Sequence, residues 1–191
     1  MPSKKDIDVV LINPGDRAQI YQSLGEQLSA AEPPVWVGLI ATYLRKKGIS
    51  VHVIDAYAEN LASFETAQRV ADTNPELTCI VAYGHQPSAS TQVMPSAGSI
   101  AEEILFASPQ QSVLLAGGHV AALPERTLRE EQCDFVCTGE GPVTIYELTQ
   151  AIKNKETLAK VRGLMYWNGT EIVATRPAPL VTNLDEEMPG M

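Results

Sequence analysis

Four times along this chain a short run of apolar and β-branched residues stops at a turn-forming cluster and gives way to a helix-forming stretch. The runs are Ile7–Ile12 before Asn13-Pro14-Gly15, Thr78–Tyr83 before Gly84, Val113–Ala116 before Gly117-Gly118, and Asp134–Cys137 before Thr138-Gly139. Continuous apolar runs of this length suit strands buried on both faces. Strands that alternate with helices are joined in parallel by crossovers, so the pattern predicts a sheet covered on both sides. With Val51–Asp55 as a further strand, the fold expected is α/β: a doubly wound, Rossmann-like or flavodoxin-like parallel sheet of five strands in the order 2-1-3-4-5. Ligands of open α/β sheets bind outside the carboxyl ends of the strands, which makes these turns the place to look for function.

The helices between them carry start and stop signals. Pro33-Pro34 open a helix with apolar positions Val37, Ile40, Ala41 and Leu44, closed by Lys46-Lys47-Gly48. Ser63 begins a weaker one that stops before Asn74-Pro75, and a longer one presents Met94, Ala97, Ala101, Ile104 and Leu105 on one face. Pro124 and Pro142 each sit at a first helical position. Between Pro14 and Ser29 runs a polar connection longer than the usual two to six residues, and loops that long are functional or disordered. Mobility is the expectation for it. Near the end, Gly163–Trp167 and Thr170–Thr175 flank Asn168-Gly169, a strong hairpin signal, and Arg176 onward reads as an extended strap. The expected division is a ligand-binding α/β domain over 1–160 and a hairpin with linker over 161–191.

A chain of 191 residues suffices for one such domain. Its net charge of −9 argues against a nucleic-acid or anionic-membrane surface, because binding there needs clustered Lys and Arg. Neither a signal-peptide pattern nor a membrane-length apolar run is found, and the expected compartment is the cytoplasm. Cys79, Cys133 and Cys137 are too few for a disulfide framework. On an extended strand Cys133 and Cys137 would stand about 13 Å apart, too far to share a metal, so buried apolar roles are expected for them.

Several families of this architecture are set aside by their missing residues. The first turn lacks Gly-x-Gly-x-x-Gly, no P-loop Gly-Lys-Ser or Gly-Lys-Thr exists, strand three ends in Tyr83-Gly84 where a receiver domain needs a carboxylate, and no Gly-x-Ser-x-Gly occurs. What is left is a site that binds without chemistry of its own.

Taken together, the turns resemble a known family: the N-terminal cobalamin (vitamin B12)-binding domain of cobalamin-dependent radical S-adenosylmethionine enzymes. The resemblance rests on Ile12-Asn13-Pro14, on Pro33-Pro34-Val35-Trp36-Val37-Gly38-Leu39, on Val53-Ile54-Asp55-Ala56 and on Gly117-Gly118-His119 with Ala122-Leu123-Pro124-Glu125. It continues through Asp134-Phe135-Val136-Cys137-Thr138-Gly139-Glu140-Gly141 to Asn183-Leu184-Asp185-Glu186. It implies a cobalamin on the carboxyl edge of the sheet, its nucleotide tail buried between loops and its corrin ring facing a radical S-adenosylmethionine barrel of the same polypeptide. S-adenosylmethionine and a 4Fe-4S cluster are expected only in that barrel. The site residues implied are Asn13, Pro14, His85, Gln86, Ser88, Ser90, Gly117, Gly118, His119, Gly139, Glu140 and Gly141, with no catalytic residue and no protein ligand to metal in this segment.

The residues themselves agree with that implication: hydroxyls and glycines give hydrogen bonds and close approach to an amide-rimmed macrocycle. A Cβ at Gly117 or Gly118 is accordingly expected to weaken binding. Methionine-synthase-type domains carry Asp-x-His-x-x-Gly after strand one, whereas this chain has Asp16-Arg17-Ala18-Gln19-Ile20-Tyr21, so that loop supplies no imidazole beneath cobalt. For His85 and His119 a hydrogen bond to the ligand outweighs direct ligation of cobalt, and His52 reads as a structural or solvated residue. Glu140 reads equally as a helix-terminal carboxylate and as a ligand contact. Trp36, Tyr43 and Tyr83 read as core or interface more than as cofactor stackers. The three cysteines do not have the spacing that holds an iron–sulfur cluster, so the chain alone is expected to bind cobalamin and catalyse nothing, its parent being a methyltransferase or cyclase-type enzyme. The alternative is a stand-alone flavodoxin-like module, binding another ligand or a protein partner.

Overall fold

Alternation along β1, Val9–Asn13, shows how the core divides: Val9 and Leu11 face one apolar layer, Val10 and Ile12 the other, and all four are fully buried. A computed structural model describes residues 7–15, 33–84 and 87–188, without the side chains of Pro87 and Ser88. After β1 come α1 (Val35–Lys46), β2 (Val51–Asp55), α2 (Ser63–Thr73), β3 (Leu77–Val81) and α3 (Pro87–Ala107). Then follow β4 (Val113–Ala116), α4 (Gly118–Ala122), α5 (Pro124–Glu130), β5 (Phe135–Cys137), α6 (Pro142–Asn154), β6 (Leu164–Asn168), β7 (Glu171–Ala174) and a short α7 (Leu184–Glu187).

The strand order is β2-β1-β3-β4-β5-β6-β7; the first five are parallel, as expected, and β6 runs antiparallel to β5 and to β7. The hairpin thus extends the main sheet. Its centre is shifted by one residue from the Asn-Gly expected: Asn168 pairs with Glu171, and Gly169-Thr170 make the two-residue turn. Gly169 has φ +67, and a glycine at the first central position is what a type II′ turn requires.

On one face α1 and α6 bury Ile40, Leu44, Ile145 and Leu148 against the sheet, and on the other α2, α3 and α5 bury Val70, Ile100, Ile104 and Leu128. The predicted stop of α1 is a Schellman cap: Gly48, at φ +80, donates to the Arg45 carbonyl (3.0 Å) and Ile49 to that of Leu44 (3.0 Å). The strap returns over the α1/α6 face, where Met188 is buried, and Lys47 pairs with Glu187 at 3.0 Å.

Two local readings change. β3 ends at Val81, two residues before Tyr83; Ala82 still donates to the Ala116 carbonyl of β4 (2.6 Å), and Tyr83 and Gly84 lie beyond the ladder at the sheet's carboxyl edge. The turn after β4 is shorter than a loop, because α4 starts at Gly118 directly. Most of the long Pro14–Ser29 connection lies outside the described residues, as do His85 and Gln86.

Candidate functional site

The parallel strands deliver their carboxyl ends to one edge, and the first feature there is a hydrogen-bonded frame. Asn13 closes β1 by donating from Nδ2 to Asp55 Oδ1 at the end of β2 (2.8 Å). Ser90, buried in the first turns of α3, donates its hydroxyl to the Ala82 carbonyl and accepts the His119 backbone N–H (2.9 Å). It therefore fastens the exit of β3 to the start of α4. Ser90 is a member of the frame, and its hydroxyl has two partners before any ligand arrives.

The two glycines after β4 differ in kind. A Cβ on Gly117 would lie 2.2 Å from the Ala82 carbonyl oxygen and 2.7 Å from its carbon, so the close approach that requires glycine is to the protein's own backbone. A Cβ on Gly118 would meet nothing nearer than Ser90 Cβ at 3.5 Å, an ordinary contact. Of the two, only Gly118 has room for a Cβ. Gly139 is likewise open, with nothing within 4 Å of where a Cβ would stand, whereas Gly141 has φ +108 and forms the N-terminal boundary of α6 before Pro142. His119 is half-buried and its Nδ1 lies 3.0 Å from the Thr91 hydroxyl, which fixes the ring. Glu140 is exposed, and its carbonyl accepts the Tyr83 hydroxyl at 3.2 Å. His52 is exposed on edge strand β2, in keeping with a solvated role.

Between the ends of β1 and β3, where the strand order reverses, the edge opens into a cavity of about 260 Å³. Asn13 and Pro14 line it, as do Trp36, Tyr83, Gly84 and Gln92. Trp36 and Tyr83 are stacked on each other, ring centroids 4.6 Å apart with planes 20° from parallel. Of the three aromatics expected in core or interface, Tyr43 is buried in the core, Tyr83 is half-buried against it and Trp36 is exposed at the cavity. A signal was present: Pro33-Pro34 fix the start of α1, so Trp36 falls in its first turn, beside the β1 exit. What could not be read was that Tyr83, beyond the end of β3, turns to meet it.

The electrostatics are those of a neutral site. No Asp, Glu, Lys, Arg or His is among the described residues lining the cavity. Burial, with smaller contributions from Cys137, Glu140 and Cys79, pushes the Tyr83 phenol far above its ordinary range, so it stays protonated and a donor. Burial also holds the Cys79 and Cys137 thiols above theirs, and Cys133, half-buried just before β5, is pushed up to about 12. All three are thiols at neutral pH. Backbone open at Gly118 and Gly139, together with a flat-walled, uncharged cavity, fits a large amide-rimmed molecule carrying a flat appendage.

Comparison with known proteins gives the same answer from a different direction. A model of the B12 binding domain matches residues 23–149. Over 183 residues the chain is 28% identical to a protein of Pyrococcus horikoshii named as an uncharacterized methyltransferase, covering 95% of this chain and 37% of that one. It is 27% identical over 186 residues to an anaerobic magnesium-protoporphyrin IX monomethyl ester cyclase of Cereibacter sphaeroides, covering 93% of this chain and 28% of the cyclase. The chain thus spans little more than a third of the length of these relatives, or less. Among solved structures, the radical S-adenosylmethionine methyltransferase TsrM of Kitasatospora setae, with cobalamin and a 4Fe-4S cluster bound, superposes with a TM-score of 0.69 at 18% identity, over 92% of this chain and 30% of that one. The cobalamin-dependent radical enzyme OxsB, with aqua-cobalamin and S-adenosylmethionine bound, gives 0.70 at 18%, over 96% and 24%. At that identity the structures speak to fold. The family match, which takes in α1, the exits of β3, β4 and β5 and most of α6, carries the identification: this chain belongs to the B12-binding domain family.

Proposed function

We propose that this chain is the cobalamin-binding module of a radical S-adenosylmethionine enzyme of methyltransferase or cyclase type. The observation that carries the reading is the match to the B12 binding domain over residues 23–149, laid on a sheet edge that has an uncharged cavity and a hydrogen-bonded frame. The names borne by its relatives supply the reaction types. Segment 1–160 is the ligand-binding unit, and 161–191 is the hairpin and strap that lead toward a barrel in the same polypeptide. That barrel would bring S-adenosylmethionine and the 4Fe-4S cluster. Three free cysteines suit a reducing cytoplasm, no described helix is long and apolar enough to cross a membrane, and no basic cluster invites nucleic acid.

Bound cobalamin supplies a cobalt centre able to carry a methyl group or change oxidation state. This chain's part is to bind and orient it. Gly118 and Gly139 let the macrocycle approach backbone, the frame of Ser90, Ala82 and His119 keeps the exits of β3 and β4 in register, and the cavity between β1 and β3 takes the nucleotide end. His119, its Nδ1 held by Thr91, keeps Nε2 for a hydrogen bond to the ligand, and Asn13, Pro14 and Gly141 shape the floor and rim. His85, Gln86 and the side chain of Ser88 are assigned to the rim on the family resemblance alone.

The test is titration of hydroxocobalamin into the purified chain, followed by absorbance. Saturable binding with the spectrum of cobalamin whose own base has left cobalt is the expected result. A folded chain that leaves the spectrum untouched at saturating concentrations would overturn the proposal.

A further inference from the structure

The turn after β5, Gly139-Glu140-Gly141, flanks one residue with two glycines. Backbone of that kind has many conformations to lose when it is fixed. Yet it is fixed, with Gly141 at φ +108 where the turn enters α6. From within the core the buried Cys137 thiol lies 3.5 Å from the Gly139 carbonyl, and a thiol is a weak donor. From across the sheet comes a stronger one: the Tyr83 hydroxyl donates to the Glu140 carbonyl at 3.2 Å.

The reach of that bond follows from the topology. Tyr83 stands just past the end of β3, and the order β3-β4-β5 puts the end of β5 two strand spacings away, about 9–10 Å. Between them β4 ends at Ala116 and is followed by Gly117-Gly118, so residues 116–118 present nothing larger than the Ala116 methyl. The Tyr83 ring is held by Trp36 in the first turn of α1, stacked at 4.6 Å, and by packing against the α1/α6 core. Burial raises its phenol far above the ordinary range, so the donor persists at alkaline pH. The side chain is a strut with its ring on α1 and its hydroxyl on the turn after β5.

We infer that Tyr83 is a positioning residue for cobalamin, holding the Gly139-Glu140-Gly141 turn in the conformation that receives the ligand. The inference rests on the proposed cobalamin-binding function, in which the open backbone at Gly139 meets the macrocycle. A turn ordered before the ligand arrives does not have to be ordered by it, and the difference appears as tighter binding without any added contact. Tyr83 therefore acts through the turn and needs no atom of its own on the ligand.

The experiment uses Tyr83→Phe, which keeps the ring and its stack on Trp36 and removes the hydroxyl alone. Wild type and variant are compared in three readouts: backbone amide order parameters by NMR in the ligand-free chain, hydroxocobalamin affinity by calorimetry, and the urea midpoint. Order parameters of Gly139, Glu140 and Gly141 should fall from the rigid range near about 0.85 toward about 0.6, while those of Leu114, Leu115 and Ile145 stay as they are. Affinity should weaken by about two- to tenfold, the worth of one hydrogen bond. The midpoint should move by less than about 0.5 M, because the bond lies at an exposed edge. Weaker binding with an unchanged turn would mean that Tyr83 touches the ligand directly, and a loosened turn with unchanged affinity would mean that the turn does not receive it. Either result overturns the inference and leaves the cobalamin module standing, as does a larger loss of midpoint, which would make Tyr83 a support of the whole fold, or no change in any readout. Failure of hydroxocobalamin to bind the folded wild-type chain overturns the functional proposal and this inference with it.

Discussion

Replacing Gly117 by Ala should destabilise the protein whether or not cobalamin is present. The added methyl would lie 2.2 Å from the Ala82 carbonyl oxygen and 2.7 Å from its carbon, both backbone atoms of the strand-three exit. No rotamer relieves that contact, so the β3 and β4 exits must part. Two hydrogen bonds depend on their present spacing: Ala82 N–H to the Ala116 carbonyl at 2.6 Å, and the Ser90 hydroxyl to the Ala82 carbonyl. Overpacking typically costs about 1–3 kcal/mol, and loosening a hydrogen bond adds about 0.5–1.5 kcal/mol. A total of about 2–4 kcal/mol is expected from these contributions. With a urea slope of about 2 kcal/mol per molar, the unfolding midpoint should fall by about 1–2 M. Gly118→Ala is the control, since its methyl would have an ordinary 3.5 Å contact with Ser90 Cβ and stands at the start of α4, where alanine is acceptable. Its midpoint should move by less than about 0.5 M. Urea unfolding of both variants without ligand, followed by circular dichroism, decides the matter. An unchanged midpoint in Gly117→Ala, or equal losses in the two variants, would refute the assignment of Gly117 to the frame.

Further expectations concern the frame, the histidine and pH. Ser90→Ala removes the acceptor of the His119 N–H and the donor to Ala82, both at a buried position, and should destabilise by about 1–3 kcal/mol, measured by thermal unfolding. His119→Ala should weaken hydroxocobalamin binding without changing the type of absorption spectrum; a spectral change confined to this variant would make His119 a cobalt ligand. Asp8 responds to pH: burial alone would raise its pKa, but hydrogen bonds from Lys153 and Ser50 outweigh that and leave it below the ordinary carboxylate value. A depressed folded pKa means that the stabilisation is complete above the unfolded value of about 3.9 and is lost as pH falls through the lower folded one. Asp8→Asn should therefore flatten the acid limb of a stability profile below about pH 4 while changing its shape little near neutrality.

The sequence by itself determined the layered architecture. Buried parallel strands need apolar residues on both faces, so Val9–Ile12, Leu77–Val81 and Val113–Ala116 announce themselves as continuous runs, and the Pro and Gly that bound the helices act over a few bonds. The family resemblance was legible for the same reason, since it lies in short turn motifs whose order along the chain is preserved. Tertiary structure alone decided what each site residue does. Gly117 and Gly118 are neighbours in sequence, yet a Cβ on the first would strike the Ala82 backbone while one on the second would meet the Ser90 side chain at ordinary contact distance, because a strand exit turns through space between them. Ser90 spends its hydroxyl on two partners, one eight residues back and one twenty-nine ahead. Trp36 and Tyr83 become one wall of the cavity although most of two βα units separates them. The hairpin turn moved by one residue because β6 and β7 pair with Asn168 opposite Glu171, a register that puts Gly169 at the first central position, where its positive φ is needed. Local chemistry names the elements; contacts between distant segments, which depend on how the crossovers pack against the sheet, set the function of each side chain at the edge where they meet.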